Sequence, residues 1–168
     1  MNIKEYIKEQ RLITDGAMGT YYEEKYSEDT VIAEKENLKN PEQIKEIHLE
    51  YLRAGARLIR TNTFAANTMF LADMQKVKET VRAGYEIAKE AVTAFQAENG
   101  KEIPVFIGAD LGPIYDLDHQ DYDNVLQEYK EICDTFLSCG ADCFVFETQS
   151  DFTYIEPVSY THLRAHET

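Results

Sequence analysis

Short apolar runs alternate along this chain with longer segments whose apolar residues recur at helical spacing. The short runs end in polar residues and predict strands at 11–15, 57–63, 103–109 and 143–147. The longer segments predict helices at about 2–10, 41–54, 75–98 and 123–138, followed by another that begins near Asp151. This alternation is typical of repeated β-α-β units and therefore predicts an α/β protein with a parallel sheet.

The period of these units fits two architectures. Each unit takes roughly 40–45 residues, which suits either a (β/α)8 barrel or a doubly wound sheet. A dinucleotide-binding doubly wound sheet carries a G-x-G-x-x-G turn after its first strand. The turn here is Asp15-Gly-Ala-Met-Gly-Thr20, which does not fit that fingerprint. We therefore predict a truncated (β/α)8 TIM barrel, represented by its first half of about four β/α units.

The acidic composition of the chain argues against nucleic acid and anionic membranes as binding partners. The 168 residues include 17 Lys+Arg and 31 Asp+Glu, so the net charge is -14 at pH 7. A chain this acidic is repelled by nucleic acid and by anionic membranes, and we expect neither as a partner. No apolar run approaches the ~20 residues of a membrane span, and the N-terminus lacks the apolar core of a signal peptide. We therefore expect a cytoplasmic protein.

The sequence indicates structural rather than catalytic roles for the three cysteines and for His48. Cys133, Cys139 and Cys143 are odd in number, which argues against a disulfide framework, and their spacing matches no common zinc pattern. Small buried side chains are the simpler interpretation of all three. His48 lies in the middle of a predicted helix, where we expect it to be hydrogen-bonded or exposed rather than catalytic.

Polar residues gather at the carboxyl ends of the predicted strands. They are Asp15, Thr61-Asn62-Thr63, Asp110 and Glu147-Thr148. Polar groups at the ends of apolar strands need partners, and a barrel brings all its strand ends to one mouth, where its active site lies. The sequence therefore predicts a site at that mouth, with Asp110 shaping its rim.

Four motifs that follow consecutive strands make this prediction more specific. They are Ile13-Thr-Asp-Gly-Ala-Met-Gly-Thr20, Thr61-Asn-Thr-Phe-Ala-Ala-Asn67, Gly108-Ala-Asp-Leu-Gly-Pro113 and Phe146-Glu-Thr-Gln-Ser-Asp151. In order and spacing they resemble the homocysteine S-methyltransferase family. That family includes the N-terminal module of cobalamin-dependent methionine synthase and bacterial fusions of this module to methylenetetrahydrofolate reductase. The resemblance covers residues 3–156, the N-terminal half of the family's homocysteine-binding (β/α)8 domain.

The resemblance implies an enzyme that transfers a methyl group to the sulfur of homocysteine and forms methionine. In the family a zinc ion holds that sulfur as thiolate, whereas a free thiol of pKa ~8.5 is mostly protonated at neutral pH. The donor differs between members of the family: methylcobalamin, a methylated sulfur compound or a betaine. Methylcobalamin or methyltetrahydrofolate is the first expectation here, and the choice depends on the rest of the barrel and on any appended folate, cobalamin or reductase domains. The family's zinc cysteines lie on later strands without counterparts here, so we assign no metal ligand and no catalytic residue in this chain.

The resemblance assigns the remaining motifs to the amino-acid end of homocysteine. Asp15 and Glu147 would face the substrate ammonium, because charge-assisted hydrogen bonds are the stronger ones. The N–H groups of Gly16 and Ala17 would bind the substrate carboxylate as a small anion nest. The remaining lining residues would be Asn62, Thr63 and Thr148.

The last eleven residues of the chain, 158–168, have an unusual coding pattern. They can be written in codons as GTC TCT TAT ACA CAT CTC CGA GCC CAC GAG ACx. That string resembles one reading frame of a transposase adapter used to prepare DNA for sequencing. We therefore expect residues 158–168 to be a non-native adapter tail, and residues 1–157 to be the native half-domain.

Two alternatives remain open at this point. One is another (β/α)8 enzyme whose mouth carboxylates serve acid–base chemistry. The other is an inert, unstable fragment, because four strands cannot close a barrel and would leave unpaired edges and an apolar face in water. We expect the chain alone to be inactive even where its parent protein is a homocysteine methyltransferase.

Overall fold

The computed structural model describes residues 2–27, 31–100, 102–115 and 122–163. Within these ranges the helices are α1 (Ile3–Glu9), α2 (Gly19–Tyr26), α3 (Glu36–Lys39), α4 (Pro41–Ala54), α5 (Thr68–Leu71), α6 (Met74–Asn99), α7 (Tyr122–Ser138) and α8 (Ile155–Pro157). A 3₁₀ turn (Ala33–Lys35) precedes α3, and a π-helical turn (Val158–His162) follows α8. The strands are β1 (Leu58–Arg60), β2 (Phe106–Leu111) and β3 (Phe144–Phe146). The end of the adapter-like tail, residues 164–168, lies outside the described residues.

The strands form a small parallel sheet in the order β1-β2-β3. Ile59 pairs with Ile107 in the first ladder. Beyond β1, Thr14 forms a parallel bridge to Leu58. Neighbours in the sheet are therefore neighbours along the chain, and the described strands show no reversal of order of the kind that a doubly wound sheet has. The prediction of an α/β protein with a parallel sheet is confirmed.

The predicted strand at 11–15 is wrong in extent. Its backbone bonds are confined to one point, where Asp15 donates to the carbonyl of Leu58 at 3.0 Å and Ile13 accepts from Arg57 at 2.8 Å. The side chain of Ile13 is 57% exposed, so little packing supports a longer ladder on this side. β1 and β3 are shorter than predicted, and β2 begins later because Pro104 has no N–H to donate to a ladder.

Local sequence signals explain where the predicted helices begin and end. α1 begins with a capping box, in which Asn2 and Glu5 exchange bonds between side chain and backbone. α4 has Pro41 in its first turn and ends at Gly55, whose φ of 114° disfavours other residues. The periodicity did not reveal α2 and α3, which are short and largely polar, yet both lie beside the predicted site.

Helix α6 contributes side chains to three apolar clusters, two of which join it to α7 and to the sheet. Val77 and Val81 are fully buried in a cluster with residues of α7, whereas Ala88 packs with Leu52 of α4 and Ile59 of β1. Burial of this size stabilises each large side chain by about 1.5–3 kcal/mol relative to exposure. The two clusters thus fix α4, α6 and α7 against the sheet. No helix in the described ranges is both long and apolar enough to cross a membrane.

His48 is neither hydrogen-bonded nor exposed, so the prediction made for it is wrong. α4 buries the ring completely, and neither nitrogen has a hydrogen-bond partner among the described residues. Burial lowers the pKa of His48 to about 4, because the charged form loses its hydration. The ring is therefore neutral at pH 7 and acts as part of the core.

Candidate functional site

The carboxyl ends of the strands border a cavity of about 540 Å³. A volume of this size suits a small-molecule ligand. Its lining includes every residue predicted for the site, namely Asp15, Gly16, Ala17, Asn62, Thr63, Glu147 and Thr148. The aromatic side chains of Phe64 and Phe70 and the segment that leads into α3 complete much of the wall.

Arg60 joins three parts of this cavity, and the sequence analysis missed it. Its Nε donates to Oδ1 of Asp15 at 2.8 Å and its Nη2 to the carbonyl oxygen of Gly16 at 2.9 Å. Its Nη1 donates to the carboxylate of Glu147. Arg60 is the last residue of β1, so the strand delivers the guanidinium between the two carboxylates. A cation at the end of an apolar strand was the signal that could have revealed it.

Asp15 is bound to Arg60 through both of its carboxylate oxygens. Besides the bond from Nε, the backbone N–H of Arg60 donates to Oδ2 at 2.8 Å, and the Asp15 side chain is only 3% exposed. Burial raises the pKa of Asp15, the bonds from Arg60 lower it, and the net direction is upward. Asp15 thus lies in the cavity wall with a cation of the protein already paired to it.

Asp110 lies inside the site rather than on its rim, where the sequence placed it. The residue is 2% exposed, lines the cavity, and has an Oδ1 atom without a hydrogen-bond partner among the described residues. Burial first, and then the nearby carboxylate of Glu147, raise the pKa of Asp110 to about 9. The upward direction of this shift favours the protonated form of Asp110 at neutral pH.

The side chains of Asn62 and Thr63 are committed to the protein itself. The Asn62 amide donates to the carbonyl of Ala33 and to Oδ1 of Asn37, both at 2.8 Å. The Thr63 hydroxyl donates to the carbonyl of Asp110 at 2.7 Å. Both residues are nearly fully buried. They line the cavity mainly by holding α3 and β2 in place beside it.

The turn that follows the first segment approaches α4 closely. Tyr51 of α4 donates to the carbonyl oxygen of Ala17 at 2.8 Å. A Cβ atom on Gly16 would lie 2.8 Å from the Tyr51 hydroxyl, so glycine permits this approach. Among the described residues, none accepts a hydrogen bond from the N–H of Gly16 or Ala17. These two donors remain available to a ligand of the cavity.

Thr148 adopts a backbone conformation that is unusual for its type. Its φ of 58° lies in the left-handed region, which is costly for a β-branched residue. Such conformations occur most often at functional sites, where the surrounding structure maintains them. Thr148 follows Glu147, so this conformation sets the direction in which the chain leaves the carboxylate.

The residues near the cavity do not fit a zinc site. A metal site needs at least three suitable side chains close together. Within the described ranges, no such group of His, Cys, Asp or Glu side chains is present. The cysteines are free thiols away from the cavity lining, and burial raises the pKa of Cys133 to about 12, which disfavours the thiolate that metals bind. The described residues that line the cavity therefore supply no set of metal ligands.

An α/β protein with a charged cavity at the carboxyl ends of parallel strands belongs to a class that binds small molecules there. Comparison with known proteins identifies the family within that class. The family model described as homocysteine S-methyltransferase matches residues 12–164, and the chain belongs to that family. The resemblance stated from the four motifs is thereby confirmed.

Individual relatives agree with this assignment. Homocysteine S-methyltransferase of Escherichia coli (strain K12) is 30% identical over 90% of this chain and 54% of its own length. Methionine synthase of Mycobacterium leprae is 27% identical over 92% of this chain and 14% of its own length. The crystal structure of the metallated E. coli homocysteine methyltransferase MmuM superposes with a TM-score of 0.82 at 27% identity, covering 96% of this chain and 62% of that one. The chain thus spans about half the length of the E. coli enzyme.

Proposed function

We propose that this chain supplies the amino-acid-binding part of a homocysteine S-methyltransferase, which methylates the homocysteine sulfur to form methionine. The observation that carries the proposal is the convergence of four family motifs on one cavity that contains both carboxylates and free backbone N–H groups. An amino acid is a zwitterion, and its two ends need these two kinds of partner.

Each end of the substrate has its own group of residues in this proposal. Glu147 accepts from the substrate ammonium, and Asp15 adds its negative charge while it holds Arg60 in place. The N–H groups of Gly16 and Ala17 bind the substrate carboxylate, with the Arg60 guanidinium beside them. Asn62, Thr63 and Thr148 keep the walls of the cavity in position.

We also propose that residues 1–157 form the first half of a (β/α)8 barrel. Support comes from the sequential parallel order of Thr14, β1, β2 and β3, which is the order of strands around such a barrel. The boundary at residue 157 rests on the codon pattern of residues 158–168, and the family match runs past it to residue 164. Sequencing the gene across codons 150–170 tests that boundary directly.

Zinc and the methyl donor are part of the proposal for the whole enzyme. A metallated form of the E. coli relative supports a metal, and zinc would supply the thiolate of homocysteine. We place its ligands outside the described residues, because none of those residues forms a ligand set. Methylcobalamin or methyltetrahydrofolate is the donor we favour, with folate, cobalamin or reductase domains as partners. Free cysteines at all three positions suit a cytoplasmic location.

The buried side chain of Asp110 supports a second candidate function, which is acid–base catalysis. A carboxylic acid that is protonated at pH 7 inside a cavity can serve as a general acid, as a barrel enzyme of a different reaction class would require. Family membership favours methyl transfer. Assays with homocysteine and each donor class separate the two functions, because an acid–base enzyme of another class would form no methionine.

The test of the proposed site uses the product of the complete gene, hereafter the gene product, and calorimetric titration with L-methionine. We expect binding that weakens at least tenfold in Glu147→Gln, because a charge-assisted bond to the ammonium is lost. Glu9→Gln removes an equal charge from the exposed end of α1 and is the matched control, for which we expect unchanged affinity. Equal affinities for all three proteins would contradict the proposed site.

A further inference from the structure

Asp110 has a chemical environment that the proposed roles of Asp15 and Glu147 leave unexplained. Its side chain is almost completely buried, yet it lines the cavity, and its Oδ1 atom has no donor among the described residues. An unpaired buried carboxylate oxygen is costly, so it requires either a proton or a ligand.

The groups around Asp110 indicate whether its carboxyl group holds a proton or can bind a ligand. Its backbone N–H donates to the Thr61 hydroxyl at 3.0 Å, and its carbonyl accepts from Thr63. Neither bond involves the carboxyl group, which lies within side-chain hydrogen-bonding reach of Glu147. The charged groups that face the carboxyl are Glu147, Arg60 and Asp15. Arg60 already donates to the other two, and it does not donate to Asp110.

Two carboxyl groups this close can form a hydrogen bond only when one of them keeps a proton. Burial and Glu147 both raise the pKa of Asp110, so Asp110 is the group that keeps it in the free protein. An ammonium group that entered between Asp110 and Glu147 would supply N–H donors to both. The shared proton would then lose its partner and pass to the solvent.

We propose that Asp110 is a binding residue for the amino group of the substrate, whose ammonium displaces a proton shared by Asp110 and Glu147 in the free protein. The inference rests on the proposed function, because it assumes an amino-acid ligand in this cavity. Substrate binding is then coupled to the release of one proton, and affinity increases with pH.

Calorimetric titration of the gene product with L-methionine in buffers of different ionisation enthalpy measures that proton. Methionine suits the test because its thioether carries no proton and its amino group is already charged at pH 6.5. We expect release of about one proton per methionine, and affinity that rises about tenfold per pH unit between pH 6 and 7.5. Asp110→Asn keeps the shape of the side chain without its proton, and we expect near-zero release and a flat pH profile.

Asp142→Asn, on the exposed loop before β3, makes the same change outside the cavity and should behave as wild type. A thermal melt confirms that each variant folds. As a second readout, the raised pKa predicts that Asp110→Asn gains stability relative to wild type as pH rises from 5 to 8. This follows because a raised folded pKa gives stability at low pH that disappears as pH rises.

Three outcomes separate the hypotheses. Loss of proton release in Asp110→Asn but not in Asp142→Asn supports the inference. Binding of methionine with no proton release in wild type, or with equal release in Asp110→Asn, overturns it and leaves the proposed function intact. Failure of wild type to bind methionine at all, while it remains folded, overturns the proposed function and the inference together.

Discussion

Among the described residues, five ionisable side chains line the cavity, and Arg60 is the cation among them; the other four are Asp15, Glu34, Asp110 and Glu147. Arg60 donates to both Asp15 and Glu147, whereas burial and then the nearby carboxylate of Glu147 raise the pKa of Asp110. A low-dielectric site tolerates such a group of charges only while its cation is in place. Arg60 therefore supports both the stability of the protein and the shape of the cavity.

Replacement of Arg60 by methionine should destabilise the gene product by about 2 kcal/mol, because the buried carboxylate of Asp15 and the partly exposed carboxylate of Glu147 lose their partner. Arg53→Met is the matched control: Arg53 pairs with Glu98 at 2.8 Å, but both side chains are about half exposed. Exposed pairs contribute roughly 0–1 kcal/mol, so the control should change little. Urea denaturation at pH 7 measures both variants, and equal losses would show that the Arg60 network adds nothing beyond a surface pair.

The sequence indicated which residues line the cavity better than it indicated their hydrogen bonds and protonation. All seven residues that the family resemblance assigned to the site line the cavity. The strand pattern had independently indicated five of them at the carboxyl ends of strands, namely Asp15, Asn62, Thr63, Glu147 and Thr148. The bonds of Arg60 depend on the distance between the first segment and β3, which no local pattern encodes. The burial of Asp110 likewise depends on the packing of β2 between its neighbours.

Helices in this protein follow their sequence signals more closely than strands do. α6 and α7 formed at the predicted positions because their apolar stripes each find a partner in the same clusters. The predicted strand at 11–15 lacks such a partner on one side and shrinks to a single bridge. Strand pairing is decided by contacts distant in sequence, whereas helical bonds are local.

Gly84 of α6 illustrates how packing can override helix propensity. A Cβ atom there would lie 2.8 Å from Nδ2 of Asn37 and 2.8 Å from Cγ2 of Thr63. Alanine would gain up to about 1 kcal/mol of helix propensity, but the overpacking costs about 1–3 kcal/mol. We expect a lower melting temperature for Gly84→Ala. At Gly19 of α2 an added Cβ meets nothing within 4 Å, so Gly19→Ala should be neutral or stabilising.

The buried ring of His48 predicts how α4 responds to acid. Its folded pKa of about 4 lies below the unfolded value of 6.5, so the unfolded state binds more protons between these values. Stability is full above pH 6.5 and falls as pH decreases through that window, by roughly 3 kcal/mol from this group. His48→Leu should lose less stability than wild type between pH 7 and 4.5 in urea titrations. Parallel pH profiles for the two proteins would contradict this account.

At the scale of the whole molecule, the sheet has two unsatisfied edges. Within the described residues, Thr14 pairs only with β1, and β3 pairs only with β2. Ile13 is among the exposed apolar residues beside the first edge. Unpaired strands with exposed apolar side chains promote association between chains.

The 168-residue chain expressed alone should therefore self-associate and form no methionine. We expect elution ahead of a 19.3 kDa monomer in size exclusion with light scattering, and much less than one equivalent of zinc by mass spectrometry. The gene product, measured in parallel, is the control. A monodisperse chain that unfolds cooperatively and holds one zinc would contradict both the half-barrel and the external ligand set.

The bonds from Arg60 to Asp15, Gly16 and Glu147 also affect how this protein can evolve. Under the proposed function, a mutation at Arg60 would change folding and substrate recognition together, so selection for a new substrate could not act on it independently. Phe64 and Phe70 line the same cavity, but their side chains are 37% and 38% exposed. Replacing them leaves the charged network intact. Substitutions that change substrate preference should therefore accumulate at these two aromatic positions. Arg60 and the residues that it binds should stay unchanged together.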